Sequence, residues 1–238
     1  MNARLTALVA AAIGLGAGVA ASRAMAGEPQ NRAAIEAIVH DYILAHPEII
    51  PEAIGRLQHQ QSASAISTDR AAIETPFAGA WAGNPTPKVT LVMFSDYSCG
   101  YCRASAPDIE RLLAETPDLK VVWREIPVLG PQSVTAARAA LVAAKQGHYL
   151  PFHRALFAAG RPDDATVARV AKASGVEAAD LAGQGKQKDI DAELSANLKL
   201  AARLGVDGTP AFVVGDEMLS GAVGHDALKK AIDAARKG

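Results

Sequence analysis

The sequence has no long run of lysine or arginine, no Met-rich or His-rich patch, no internal repeat, and only two cysteines among 238 residues. Each lack removes a class of function. With a formal net charge of −1 and no basic run, the chain carries no electrostatic footprint for nucleic acid or an anionic membrane surface. Two cysteines cannot make a disulfide-dense scaffold, and half hydrophobic residues against 21% charged ones exclude a disordered chain. Partners are therefore expected among proteins and small molecules, with no nucleic acid. The length suits one principal domain with an extension and is short for two full-sized cores.

The N-terminus reads as a targeting segment. Met1-Asn-Ala-Arg4 supplies a positive charge, Leu5 to Ala21 is small and apolar, and Ala24-Met25-Ala26 offers small residues before a cleavage point at Gly27. An uncleaved anchor is the alternative, but the run falls short of the roughly 20 apolar residues of a membrane span and is rich in Gly and Ala. A signal peptide over 1–26, export, and a periplasmic location where disulfides persist are expected.

Residues 32–60 carry apolar positions at helical spacing, Ile35, Ile38, Val39, Tyr42 and Ile43 and then Ile50, Ala53, Ile54 and Leu57, with Pro47 and Pro51 dividing the two runs. Residues 61–73 are polar and Ala/Ser-rich, and Phe77 to Pro87 is rich in Gly and Pro, so 27–75 is expected to be a helical segment with its linker, whose apolar stripes are buried by oligomerisation, packing back onto the catalytic domain being the alternative. The catalytic domain is expected over 76–238. In it, Val89 to Phe94 reads as a buried strand, Arg103 to Glu115 as a helix and Lys120 to Ile126 as the next strand. A helical insertion spans about 130–205, strand signals return at Ala211 to Val214, and His225 to Lys237 closes the chain as a helix.

Both cysteines lie in one C-x-x-C, Cys99-Gly-Tyr-Cys102, at the turn from strand to helix. A bridge across two residues removes little chain entropy, so it is nearly useless as a staple. Zinc wants about four ligands, and neither a second Cys pair nor an H-x₃₋₅-H partner is present. Redox exchange is the reading that remains. A thiol at a helix N-terminus faces unpaired N–H groups and the positive end of the macrodipole, both of which favour the thiolate. Cys99 holds that place, and Cys102, one turn on, is expected to be the buried resolving thiol.

These residues, with Gly-Asn-Pro at 83–85, Arg124-Glu-Ile-Pro-Val-Leu-Gly130 and Gly208-Thr-Pro-Ala-Phe212 in family order, resemble the DsbA-like thioredoxin-fold family, and most closely its ScsC-like branch. The resemblance implies an α/β thioredoxin fold with a helical insertion, preceded by an N-terminal helical segment. It implies that Thr209-Pro210 is cis and lies against the CxxC. It also implies cysteine-containing exported proteins as clients, a membrane redox partner, and a homo-oligomer, dimer or trimer. No cofactor is expected. The dipeptide Gly100-Tyr101 matches the isomerase DsbC, and Thr209 is also isomerase-like, so isomerase or reductase action ranks above oxidase action. The superfamily often places a buried acid six residues before the first Cys, where this chain has Met93. Asp96 or Glu125 is the candidate proton acceptor in its stead, an ordinary solvated or paired carboxylate being the alternative for both. The histidines read as solvated surface residues. A rival function is a periplasmic Cu(I) chaperone using both thiolates, since soft sulfur suits Cu(I).

Overall fold

The computed structural model describes residues 32–177 and 187–237, so the expected leader lies outside the described residues. The chain divides into two compact units, with the division between Arg56 and Leu57. In the first unit, α1 (Arg32–Ala45) and the opening turns of α2 (Ile49–Glu74) are separated around Pro47. Pro51 sits in the first turn of α2, where a missing N–H breaks no helical bond. No residue of α1 is buried, and Ile35, Ile38, Val39, Tyr42 and Leu44, with Ile50 and Ile54 of α2, are exposed.

The second unit begins inside α2. Residues 61–73, expected as a linker, are helical, and Ile66 and Ile73 are 1% and 0% exposed. Two turns apart on one face, they pack with Val92, Phe94 and Val122. The boundary expected near residue 75 therefore moves to Arg56–Leu57. Alanine and serine supply a helix surface whose composition resembles a loop, while Ile66 and Ile73 are its buried contacts with the sheet.

Strands β1 (Trp81–Gly83), β2 (Val89–Ser95), β3 (Leu119–Glu125), β4 (Ala211–Val214) and β5 (Glu217–Ser220) form one sheet in the order β1-β3-β2-β4-β5. β2 and β3 are parallel, with Met93 opposite Trp123 and Ser95 opposite Glu125, and the other pairs are antiparallel. A parallel pair needs a crossover, which α3 (Gly100–Glu115) supplies. β2 is covered on both faces, Leu91 and Met93 entering one core and Val92 and Phe94 the other. That double burial is why Val89 to Phe94 reads as a continuous apolar run. β1 escapes sequence reading because its three residues lie within the Gly/Pro-rich stretch.

Between β3 and β4 lies the helical insertion, α4 (Pro131–Lys145), α5 (Tyr149–Ala159), α6 (Asp164–Ala173) and α7 (Lys188–Leu204), and α8 (His225–Ala235) follows β5. Helices α3 to α6 and α8 contribute to the core that holds Met93 and Trp123. Leu200, Ala201 and Leu204 of α7 join Ile66 and Ile73 of α2 over the opposite face. α7 stops at Gly205, whose φ of 73° is the left-handed conformation that ends helices.

Candidate active site

Cys99 is the N-cap residue of α3, with φ −80° and ψ 117°, and its sulfur accepts the N–H of Cys102 at 3.4 Å. The turn that delivers it is clamped by Asp96. One carboxylate oxygen accepts the Ser98 N–H at 2.8 Å, and the other accepts the Val128 and Leu129 N–H groups at 2.9 and 3.0 Å. The Asp96 carbonyl also accepts the Cys99 N–H at 3.0 Å. Asp96 is thus buried because it ties the CxxC turn to the loop after β3, and this explains its burial without a role in proton transfer. Ser133 at the start of α4 adds a hydroxyl contact of 2.8 Å to Ser98.

Thr209-Pro210 is cis, and the Cys99 thiol donates to the Thr209 carbonyl at 3.2 Å. The structure therefore brings Cys99 and Cys102 together with Thr209 and Pro210 from two segments distant in sequence. Gly100 and Tyr101 lie on the exposed rim, Tyr101 being 70% exposed. Cys102 is 0% exposed, and both cysteines are free. Burial pushes the Cys102 thiol well above its ordinary range, only partly offset by hydrogen bonds from the Asp96 backbone and the Thr209 side chain. The pair is asymmetric: one sulfur at the helix end beside the rim, and one shielded behind it.

Behind Cys102 lies a largely apolar cavity of about 400 Å³, bounded by Met93, Trp123 and Phe157 among others and reached by His153. His153, expected at the surface, is 4% exposed. Its Nδ1 lies 2.8 Å from the Tyr97 hydroxyl and 3.2 Å from that of Tyr149, and both hydroxyls donate to Glu125 Oε1, at 3.2 and 2.7 Å. Burial drives the Glu125 carboxyl up to about 8; the two tyrosine hydrogen bonds oppose this, and the charge of Asp96 reinforces it. Burial pulls His153 down to about 3, aided by the Arg154 charge. Sequence reading singled out Glu125 but missed Tyr97, Tyr149 and His153. The available signal was Arg124-Glu125 itself, two adjacent charges directly after the apolar Val121-Val122-Trp123, which demand buried partners.

These shifts fix a stability prediction. The raised Glu125 contributes stability that is complete below its unfolded value near 4.5 and lost as pH rises through 8. The lowered His153 contributes stability that is complete above 6.5 and lost as pH falls through 3. Above pH 6.5 only the Glu125 loss remains of this pair. The unfolding free energy of the parent should fall between pH 6.5 and 8 relative to that of Glu125→Gln, as read from urea unfolding at each pH. Parallel curves would show that Glu125 ionises in the fold as it does in the unfolded chain.

Comparison with known proteins agrees with this geometry. Residues 90–233 match the model of the DSBA-like thioredoxin domain. The chain belongs to that family. Residues 31–63 match the N-terminal domain model of the copper resistance protein ScsC. Among solved structures, a thioredoxin-like oxidoreductase from Silicibacter pomeroyi DSS-3 is similar, at 38% identity and a TM-score of 0.66, over 70% of this chain and 96% of that one. A linker-deletion mutant of Proteus mirabilis ScsC is 28% identical with a TM-score of 0.68, over 88% of this chain and 97% of that one. A curated relative, a Na(+)/H(+) antiporter NhaA 1 of Salinispora arenicola, is 28% identical over 63% of this chain. This chain spans only about a quarter of that protein, covering 24% of its length. Among the described residues no helix is long and apolar enough to cross a membrane.

Within the DSBA-like domain, the position six residues before the first Cys is Met93, 1% exposed and part of the cavity wall. On the neighbouring strand β3, Glu125 lies two residues beyond Trp123, the partner of Met93.

Proposed function

We propose that this DSBA-like chain catalyses dithiol–disulfide exchange on cysteine-containing exported proteins, through a mixed disulfide at Cys99 that Cys102 resolves. The asymmetry of the sulfurs carries this reading: Cys99 sits at the helix end, and Cys102 cannot be reached by a client. A periplasmic location after loss of residues 1–26 follows from the leader, and a membrane redox partner is needed to reset the pair. Thr209 and Gly100-Tyr101 support isomerase or reductase action ahead of oxidase action. The Cu(I)-chaperone alternative needs both sulfurs as exposed thiolates, which the burial of Cys102 disfavours.

Self-association belongs to the same proposal. The exposed apolar set on α1 and the start of α2 is marginal for an isolated helical segment in water, and burial against copies of itself removes that cost. The match of residues 31–63 to the ScsC N-terminal domain supports a separate role for this segment. Several active sites around one bound client raise the effective thiol concentration, as isomerisation requires.

A chain beginning at Leu57 should be folded, monomeric and able to oxidise a dithiol peptide, but should lose the refolding of scrambled ribonuclease. Cutting instead at residue 75 removes Ile66 and Ile73 from the core and should not give a stable protein. Sedimentation of the exported form decides the point. A monomer at micromolar concentration would place oxidase above isomerase.

A further inference from the structure

The cavity behind Cys102 opens at the surface between α3 and α5, where Pro107, Glu110, Arg154 and Ala158 are half-exposed or exposed members of its wall. It is an entrance, not a sealed void. Its inner wall is made of side chains that are 4% exposed or less, Met93, Trp123, His153 and Phe157, with Cys102 beside them. Three of these carry rings, and the His153 centroid stands 4.7 Å from that of Trp123 and 4.8 Å from that of Phe157. A flat aromatic guest meets ring faces, ring edges and sulfur-bearing side chains there, contacts that favour it beyond the area it buries. Size agrees. An apolar cavity of about 150 Å³ is enough for benzene, so about 400 Å³ takes two fused rings with a substituent.

Two polar atoms single out the substituent. His153 Nδ1 is turned to the hydroxyls of Tyr97 and Tyr149, at 2.8 and 3.2 Å, while its Nε2 has no partner among the described residues and is not sealed by protein. Both tyrosine protons go to Glu125 Oε1, so the proton in the contact between Tyr97 and His153 is the one on Nδ1. That leaves Nε2 as a bare acceptor. Burial pulls the ring down to about 3 and so keeps it neutral, with this lone pair free at neutral pH. The second atom is Arg103 Nε, buried without a protein partner on a residue that also lines the cavity. A hydroxyl both donates and accepts, so one group answers an acceptor and a donor. Charge is already met at the mouth. Arg154 forks onto Glu110, at 2.7 Å through its Nε, so neither ion is left to hold a charged guest.

We infer that this cavity is a binding site for a neutral, hydroxylated aromatic compound of two-ring size, whose hydroxyl donates to His153 Nε2. The site goes beyond thiol exchange and does not rest on it, since no step of that reaction uses the cavity. Clients meet Cys99 at the rim, whereas the guest lies against Cys102 from the side of α3 and α5. Any difference in the guest's affinity between the dithiol and disulfide forms shifts the equilibrium of the pair by the same factor, by linkage.

The test uses the full chain with its cysteines reduced and two compounds of similar shape, 2-naphthol and 2-methoxynaphthalene, in isothermal titration calorimetry. The first carries the donor and the second lacks it. The parent should bind one equivalent of 2-naphthol, and bind 2-methoxynaphthalene at least about tenfold more weakly, the cost of leaving Nε2 unpaired. In His153→Phe, which keeps a ring, that discrimination should vanish. Ala106→Leu puts a larger side chain into the cavity wall and should weaken 2-naphthol by about tenfold or more, with a cooperative calorimetric transition showing that the variant is folded. Should His153→Phe fail to fold, the two compounds on the parent, together with Ala106→Leu, still decide. Equal affinity for the two compounds, or no binding at millimolar concentration, overturns the site. So does 2-naphthol binding that Ala106→Leu leaves unchanged, which would put the guest on the exposed apolar face of α1 and the start of α2.

Discussion

Replacing Cys99 by serine will reduce insulin reduction and dithiol-peptide oxidation to the uncatalysed background, whereas Cys102→Ser will leave a protein that accumulates mixed disulfides with its clients. The geometry separates the two outcomes. Cys99, 6% exposed against 0% for Cys102, receives an N–H from the first turn of α3 and lies beside the cis Thr209-Pro210 peptide, next to exposed Gly100 and Tyr101. Cys102 is fully buried, so it cannot attack a client first, but it can attack the neighbouring sulfur once Cys99 is bonded. A serine hydroxyl is too weak a nucleophile to replace the thiolate. In Cys102→Ser the first step persists and the second is lost, so adducts become visible on non-reducing gels. Adducts formed by Cys99→Ser through Cys102 would reverse the assignment of the two sulfurs.

Arg124→Met will lower the unfolding free energy by about 3–5 kcal/mol, the typical cost of leaving a buried partner uncompensated. Arg124 is 5% exposed on β3, and its guanidinium reaches Glu193 at 2.8 Å and Asn197 at 3.2 Å on α7. The same group donates to the carbonyls of Ala72, Ile73 and Thr75 at the C-terminal end of α2. Those are the carbonyls a helix end leaves unsatisfied, so one side chain both caps α2 and fastens it to the sheet. Methionine fills much of the volume but returns none of these donors. For a unit of this size the melting temperature should drop by roughly 6–20 °C in calorimetry. A loss below about 1 kcal/mol would mean that water replaces the guanidinium and that α2 is held by Ile66 and Ile73 alone.

The apolar run Val89 to Phe94 and the CxxC at its end were legible as local patterns, whereas the cis Thr209-Pro210 was legible only through the family resemblance, since a proline before Ala211 reads equally as an ordinary trans residue at the start of a strand. The docking of residues 57–74 was not legible, because Ile66 and Ile73 are two apolar positions in a polar stretch and the decisive contact, Arg124, is about fifty residues away. The buried cluster failed for the same reason. Tyr97, Glu125, Tyr149 and His153 share no local spacing, and a lone histidine beside Arg154 reads as surface until the insertion folds it against β3. Cys102 could be placed one turn behind Cys99 from helix geometry alone; the cavity it lines could not.

The central claim is that Cys99 and Cys102 form a reversible, client-exchanging redox pair. Its most direct test is equilibration of the protein in graded glutathione buffers, with the fraction of Cys99–Cys102 disulfide read by differential alkylation and mass spectrometry. A single reversible two-electron transition confined to this pair, approached identically from the oxidised and reduced sides, is the predicted result. A pair that stays reduced, or stays oxidised, across the whole range of buffers would contradict the account.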